Sequence, residues 1–333
     1  MWSFFSDKKW RIWAYGGAVF IILLIISQTY LSVLFNDWYG KFYDLLQKTN
    51  ESTIEKFWDL IRLFLKLAMP WVTIYAFTNW FTRIWAFRWR EAMTFSYMPY
   101  WKKMNVKVEG ASQRIQEDCK YFAEDIEEVG LEVIRAIMTV LAFLPILWSL
   151  SSHVVFPYLK DINGSLVWVA LIVSFGGVLI SWFVGIKLPG LEYNNQKVEA
   201  AFRKELVYGE DDRKNYVKAP IIIELFTGIK FNYHRLFLHY GYFDLWRYWY
   251  RQLFIIVPYV IMGPGLFTGA YTLGIMMKSA NAFAEIKDSF NVFLYNWVKI
   301  NKLRSIYKRL NEFERAINFS KPLGGIKRSD VRI

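Results

Sequence analysis

A chain of 333 residues that is 55% hydrophobic and 20% aromatic, with sixteen Trp and a mean hydropathy of +0.17, is too apolar for an ordinary soluble domain and points to a membrane protein. Its formal charge of +12 is more simply explained by basic flanks around apolar spans than by a nucleic-acid surface. A single cysteine, Cys119, excludes an internal disulfide and a cysteine-based metal cluster.

A membrane helix needs about 20 mostly apolar residues, and six segments are predicted to span. The N-terminal "MWSFFSDKKWRIW" places positive charge before a first span at about 12–35, "IWAYGGAVFIILLIISQTYLSVLF". That run is longer than a signal-peptide core and has no small-residue cleavage site, so an uncleaved membrane helix is expected. The second span falls at about 67–87, the third at about 129–150, the fourth at about 165–186 and the fifth at about 245–263. The sixth, at about 272–298, is interrupted by Lys278, Glu285, Lys287 and Asp288, and a charge at a helix centre costs about 2.5–3.5 kcal/mol on insertion scales.

Basic residues crowd the connections 88–120 (Arg88, Arg90, Lys102, Lys103, Lys107, Arg114, Lys120) and 187–235, and the tail. The alternate connections hold only Lys41, Lys48 and Lys56 in the first, Lys160 in the second, and none in "GPGLFTGAYTLG". Positive-inside bias then puts both termini and both long connections in the cytoplasm. Neither 111–129 nor 191–208 contains Gly or Pro, so spans two to five are predicted to run on as helices past the bilayer. A short echo, "AFRWREAM" at 86–93 against "AFRKELV" at 201–207, hints at a duplicated helical hairpin. Residues 1–315 read as one transmembrane domain and 316–333 as a short basic tail.

Two acidic patterns stand at the border of these spans. At helical spacing, Glu192, Glu199, Arg203 and Glu210 share one face, while Glu205 points elsewhere. Glu117, Glu124, Glu128, Glu132 and Arg135 form a second stripe, with Glu127 about a quarter-turn away. Taken singly, such residues read as wet helix faces or i,i+4 pairs worth a few tenths of a kcal/mol. Taken as a set at membrane depth, they mark a water-filled pathway. Desolvation there raises a Glu pKa toward neutrality and a nearby Arg lowers it, which suits a proton relay, and an acidic cavity attracts cationic cargo.

The aromatic run "FDLWRYWYRQLF" at 243–254 reads as an interfacial belt. Pro70, Pro145, Pro258 and Pro264 mark kinks or tolerated breaks within or beside spans. His153 stands alone, and His234 and His239 are five apart, which misses the i,i+4 spacing of a metal pair. No metal or cofactor is expected.

The stretches "EGASQRIQEDCKYFAE", "AIMTVLAFLPI", "VGIKLPGLEYNNQKVEAAFRKELVYGEDD" and "SIYKRL" resemble the SbmA/BacA family of bacterial inner-membrane peptide transporters, over about residues 9–315. The resemblance implies an all-α polytopic protein with six transmembrane helices per protomer and long cytoplasmic extensions. Its transmembrane fold would be ABC-exporter-like, without a nucleotide-binding domain, in a homodimer driven by the proton gradient. Implied cargo includes proline-rich and other antimicrobial peptides, bleomycin-type glycopeptides and peptide-modified oligonucleotides, the last being the one route by which nucleic acid would be handled. Family glutamates tied to proton coupling fall on Glu117, Glu127, Glu199 and Glu210; the other members of the two acidic patterns, Glu128, Glu132, Arg135, Glu192 and Arg203, are candidate modulators. The sequence departs from the family in two ways. Relatives commonly begin with an extra membrane segment of some sixty residues or more, and Arg135 stands where an uncharged polar residue is expected.

The neighbouring alternative is the membrane subunit of an ABC transporter energised by a separate ATPase. The chain holds no G-x-x-x-x-G-K-[ST] loop; "GGIKRSD" lacks the spacing. A membrane enzyme is disfavoured because H-E-x-x-H, G-x-S-x-G and a Cys/His pair are absent from the sequence. A structural scaffold would tolerate replacement of both acidic patterns.

Overall fold

The computed structural model describes residues 1–103, 110–212 and 215–317, and every regular element among them is helical. Eight long helices follow one another: α1 Gly17–Gln47, α2 Ile54–Lys102, α3 Cys119–Leu150, α4 Ser165–Gly185, α5 Leu188–Asp211, α6 Ala219–Phe267, α7 Leu273–Tyr295 and α8 Trp297–Ala316. A π-helical turn, Ile12–Gly16, leads into α1, and another, Arg114–Asp118, leads into α3. The basic tail expected over 316–333 lies outside the described residues from 318 onward.

Five of the expected spans have helices long and apolar enough to cross a membrane: Ile12–Gln47, Ile54–Lys102, Ala111–His153, Ser165–Asp211 and Ala219–Phe267. All five exceed the bilayer requirement of about 20 residues, so each pairs an apolar stretch with a polar extension. The turn-poor segments 111–129 and 191–208 are helical as anticipated. Outward-facing apolar side chains such as Val19, Leu23, Ile172 and Phe183 suit lipid rather than water, since contiguous exposed apolar surface is costly in solution.

The first connection is tighter than the hydropathy boundaries suggest. Residues 36–66 are not an open loop, because α1 runs on to Gln47 and α2 starts at Ile54. Between α4 and α5 the helix breaks at Ile186 and Lys187, and Pro189 fits the restart: it stands in the first turn of α5, where its missing N–H costs no intrahelical bond and its ring meets no carbonyl of a preceding turn. Gly164 ends the loop before α4 with a φ of +70°, and any Cβ there would strike the Trp148 ring at 2.3 Å.

α7 is the departure from hydropathy. Its 23 residues fail the apolar test, yet it packs against α1, α3, α4 and α6. Its two lysines have acidic partners, while Glu285 has no ion pair among the described residues. Lys278 pairs with Asp37 of α1, and Lys287 lies 3.2 Å from Asp288. The N-terminal N–H groups of α7 find acceptors on α1, where Asp44 Oδ1 takes Gly274 N at 2.8 Å and Gln47 Oε1 takes Leu273 N at 2.7 Å. An acidic side chain at a helix N-terminus satisfies an orphan donor and complements the dipole.

Two cores result. One gathers Met93, Tyr97, Phe122, Ile306 and Leu310 from α2, α3 and α8, with Phe4 of the N-terminal turn stacked on Trp89. The other gathers Phe143, Leu166, Met262, Phe283 and Ile286 from α3, α4, α6 and α7. The Met1 amine pairs with Glu314, which brings the two ends of the described chain together on one side of the bundle.

Candidate functional site

The acidic pattern on α3 begins at the π-helical turn. Arg114–Asp118 holds more than 3.6 residues per turn, so it rotates everything before Cys119 relative to a straight α-helix. Glu117 lies in that turn, exposed, and accepts a hydrogen bond from Gln113 Nε2 at 3.2 Å. The single stripe expected over Glu117, Glu124, Glu128, Glu132 and Arg135 is therefore not one surface.

It divides between two neighbours. Glu128 and Glu132 turn toward the end of the chain: Glu128 pairs with Lys299, and Glu132 accepts a hydrogen bond from Asn296 Nδ2. Arg135 turns to α2, where its Nη2 donates to Asn79 Oδ1 at 3.2 Å and its guanidinium lies 4.6 Å from the Tyr75 ring centroid. Glu127 also turns to α2, half-buried and facing the Thr82 hydroxyl, with Arg83 and Arg135 within electrostatic reach. It sits two residues outside the apolar stretch at 129–150. Burial pushes its carboxyl pKa upward; Thr82 and the two arginines pull the other way and do not cancel the rise. Asn79 and Arg83 also line an open groove of about 570 Å³, with Trp80 and Arg88.

Two aspartates that the acidic pattern left out organise the same region. Asp118, 2% exposed, takes Arg309 Nη2 at 2.6 Å and Arg309 Nε at 2.9 Å, with Arg114 Nη1 at 3.0 Å. Asp125 lies 3.1 Å from Lys302. Together with Glu128 and Lys299 they form an antiparallel ladder: the acids step back along α3 at 128, 125 and 118 while the bases step forward along α8 at 299, 302 and 309. The spacings of three and seven residues match on both helices, and that signal was available in the sequence. Cys119, beside the ladder, is buried and its thiol is pushed up to about 12 by desolvation, which makes it a poor nucleophile.

The second pattern stands apart. Among the described residues α5 has one extensive packing partner, α6, so the α3 and α5 carboxylates are not gathered within this chain. Glu192 accepts the Tyr240 hydroxyl at 2.6 Å, and that bond pushes the phenol up to about 12. Glu199 is half-buried, whereas Arg203 and Glu210 are exposed; none of the three has an ion pair among the described residues. Glu205, expected to point elsewhere, accepts Val217 N at 3.0 Å and closes the α5–α6 turn.

Comparison with known proteins places the chain. A model of the SbmA/BacA-like family matches residues 7–318. The chain is 24% identical over 318 residues to the inner membrane ABC transporter ATP-binding protein YddA of Escherichia coli (strain K12), covering 89% of this chain and 56% of that protein. It is 25% identical over 325 residues to ABC transporter D family member 2, chloroplastic, of Arabidopsis thaliana, covering 93% and 44%. A Haemophilus influenzae ABC transporter ATP-binding protein is 22% identical over 334 residues, covering 93% and 56%. The chain thus spans about half the length of the curated relatives it matches.

Proposed function

The chain belongs to the SbmA/BacA-like family of membrane transporters, and on that premise we propose that it is a proton-gradient-driven importer of peptides and peptide antibiotics across the bacterial inner membrane, working as a homodimer with both termini in the cytoplasm. The observation that carries the proposal is Glu127. It is half-buried, its pKa is raised by desolvation, and it faces a hydroxyl and two arginines at the mouth of a span. A carboxyl whose charged form is penalised by burial at such a place has the setting of a proton-loading group. Glu117, Glu199 and Glu210 are assigned to the same relay. Glu192 and Arg203 modulate it from α5; Glu128, Glu132 and Arg135 do so from α3.

α7 serves as the sixth span, tied to α1 by the Lys278–Asp37 pair. The homodimer is supported by the α5–α6 arm, which packs on itself and leaves Ile223, Phe226, Phe231 and Phe237 exposed. A second copy covering that face would also let α5 carboxylates approach α3 carboxylates of the other protomer. The deciding experiment is uptake of a fluorescent peptide into proteoliposomes with and without an imposed proton gradient; no stimulation by the gradient sinks the proposal.

A second reading has its own support. The relatives are named as ABC transporter proteins, the two bacterial ones as ATP-binding, and are about twice as long as the chain. In that reading the chain is the membrane subunit of a transporter energised by a separate ATPase. Uptake in sealed vesicles that needs ATP and ignores the pH gradient selects it.

A further inference from the structure

Where α4 gives way to α5, a cavity of about 430 Å³ opens between α4, α6 and α7. It shares no residue with the acidic patterns or the α3–α8 ladder. Its lining is cationic: Arg247 and Arg251 come from α6 and Lys287 from α7, against one carboxylate, Asp288. Arg247 and Arg251 are four residues apart on one face, and both guanidiniums rest on the Tyr248 ring, at 5.3 and 5.1 Å from its centroid. The shared ring holds the two cations side by side.

Their charge is only partly answered. Arg247 lies 3.0 Å from Asp244, and Lys287 lies 3.2 Å from Asp288. Asp288 is 66% exposed while Lys287 is 12% exposed, so water screens the acid more than the base. Lys287 is further held 5.4 Å above the Phe254 ring. Arg251 has no ion pair among the described residues; its contact is the Tyr248 ring. Three cations from two helices therefore meet two carboxylates, Asp288 in the lining and Asp244 beside Arg247, which leaves net positive charge at the cavity and Arg251 without an acidic partner among the described residues, an arrangement that favours an anion with several acceptor oxygens.

We propose that this cavity binds the phosphate headgroup of an anionic membrane phospholipid. The position argues for a lipid over a soluble anion. The cavity lies where the apolar stretch of α6 begins, ringed by tyrosines of the kind that settle at membrane interfaces. Beside it on α6, Trp249 and Leu253 are 59% and 51% exposed and give acyl chains an apolar track. Basic pockets between membrane helices at the charged face are the usual form of a headgroup site.

Native mass spectrometry of the full chain released from detergent micelles tests it, with phosphatidylglycerol or phosphatidylcholine of matched acyl chains added. Wild type retains phosphatidylglycerol roughly tenfold better than phosphatidylcholine, and Arg251→Gln lowers that retention roughly tenfold, as expected for one charge-assisted contact. Arg251 is exposed, so this variant leaves folding intact; Lys287→Gln, checked by its melting temperature, gives the same loss. Equal phosphatidylglycerol retention by wild type and Arg251→Gln overturns the proposal. Displacement of the lipid by inorganic phosphate, or by a peptide with a free but not an amidated C-terminus, at concentrations matched to the lipid also overturns it and makes a soluble anion the ligand.

Discussion

Arg309 near the end of α8 grips Asp118 with two nitrogens, at 2.6 and 2.9 Å, and Asp118 is 2% exposed. Removing the guanidinium leaves a buried carboxylate with Arg114 as its remaining partner. Arg309→Ala should destabilise the protein by on the order of 2 kcal/mol, less than the roughly 3–5 kcal/mol of breaking a fully buried pair because Arg114 stays on Asp118. It should also loosen α8 over Cys119. In wild type the buried thiol should resist maleimide in detergent, and in Arg309→Ala it should label. Unchanged labelling together with an unchanged melting curve would show that the ladder does not hold α8 in place.

Glu127 and Glu128 are neighbours in sequence and opposites in setting. Glu128 meets Lys299 with both side chains more than two-fifths exposed, and exposed pairs contribute about 0–1 kcal/mol. Glu127 is half-buried against α2. Glu127→Gln, Glu199→Gln and Glu210→Gln should each abolish peptide uptake while protein level and dimer remain intact. Glu128→Gln should keep most of it. Wild-type uptake in all three of the first set would end the relay assignment.

The pH dependence has a defined sign at Glu127. Burial penalises its charged form, so the folded protein holds this proton more tightly than the unfolded chain does. Its contribution to stability is therefore most favourable below the unfolded pKa and is lost as pH rises through the raised folded value. Glu127→Gln fixes the neutral state and should flatten the part of the melting-temperature profile that falls as pH rises above the ordinary carboxylate range. A profile identical to wild type would mean that Glu127 does not carry the shift.

Much of the architecture was legible because apolar run length and missing turn residues are local signals. "SLVWVALIVSFGGVLISWFVG" and the Gly- and Pro-free run after Leu191 foretold α4 and α5 almost to their junction. The site was less legible. A stripe drawn at 3.6 residues per turn cannot anticipate the π-turn Arg114–Asp118, nor which neighbour each carboxylate will meet. Glu132 and Arg135 sit three apart, yet one goes to Asn296 and the other to Asn79. Asp118 and Asp125 were passed over because their meaning lies in the matched spacing of Lys302 and Arg309 on a distant helix. α7 was placed correctly as a helix, but hydropathy undervalues it because Asp37 and Asp44, which answer its charge and its N-terminus, belong to α1.

That α1–α7 contact gives the sharpest test of the bundle. A Cβ on Gly274 would lie 2.1 Å from Gly40 O and 2.4 Å from Asp44 Oδ1. The first of these is backbone, so relief requires the two helices to separate. Small residues are what allow membrane helices this approach. Gly274→Ala should therefore cost roughly 1–3 kcal/mol, as overpacking does, even though alanine is the better helix former. Asp44→Ala leaves the Gly274 N–H without its 2.8 Å acceptor and should cost about 1 kcal/mol, as loss of a helix cap does. Asp44→Asn retains an acceptor and loses only the charge near the dipole, about 0.3–1 kcal/mol. Melting temperatures in detergent should rank wild type above Asp44→Asn, then Asp44→Ala, then Gly274→Ala. A Gly274→Ala variant as stable as wild type would separate α7 from α1, and with it would go the paired-charge explanation for a span that hydropathy alone rejects.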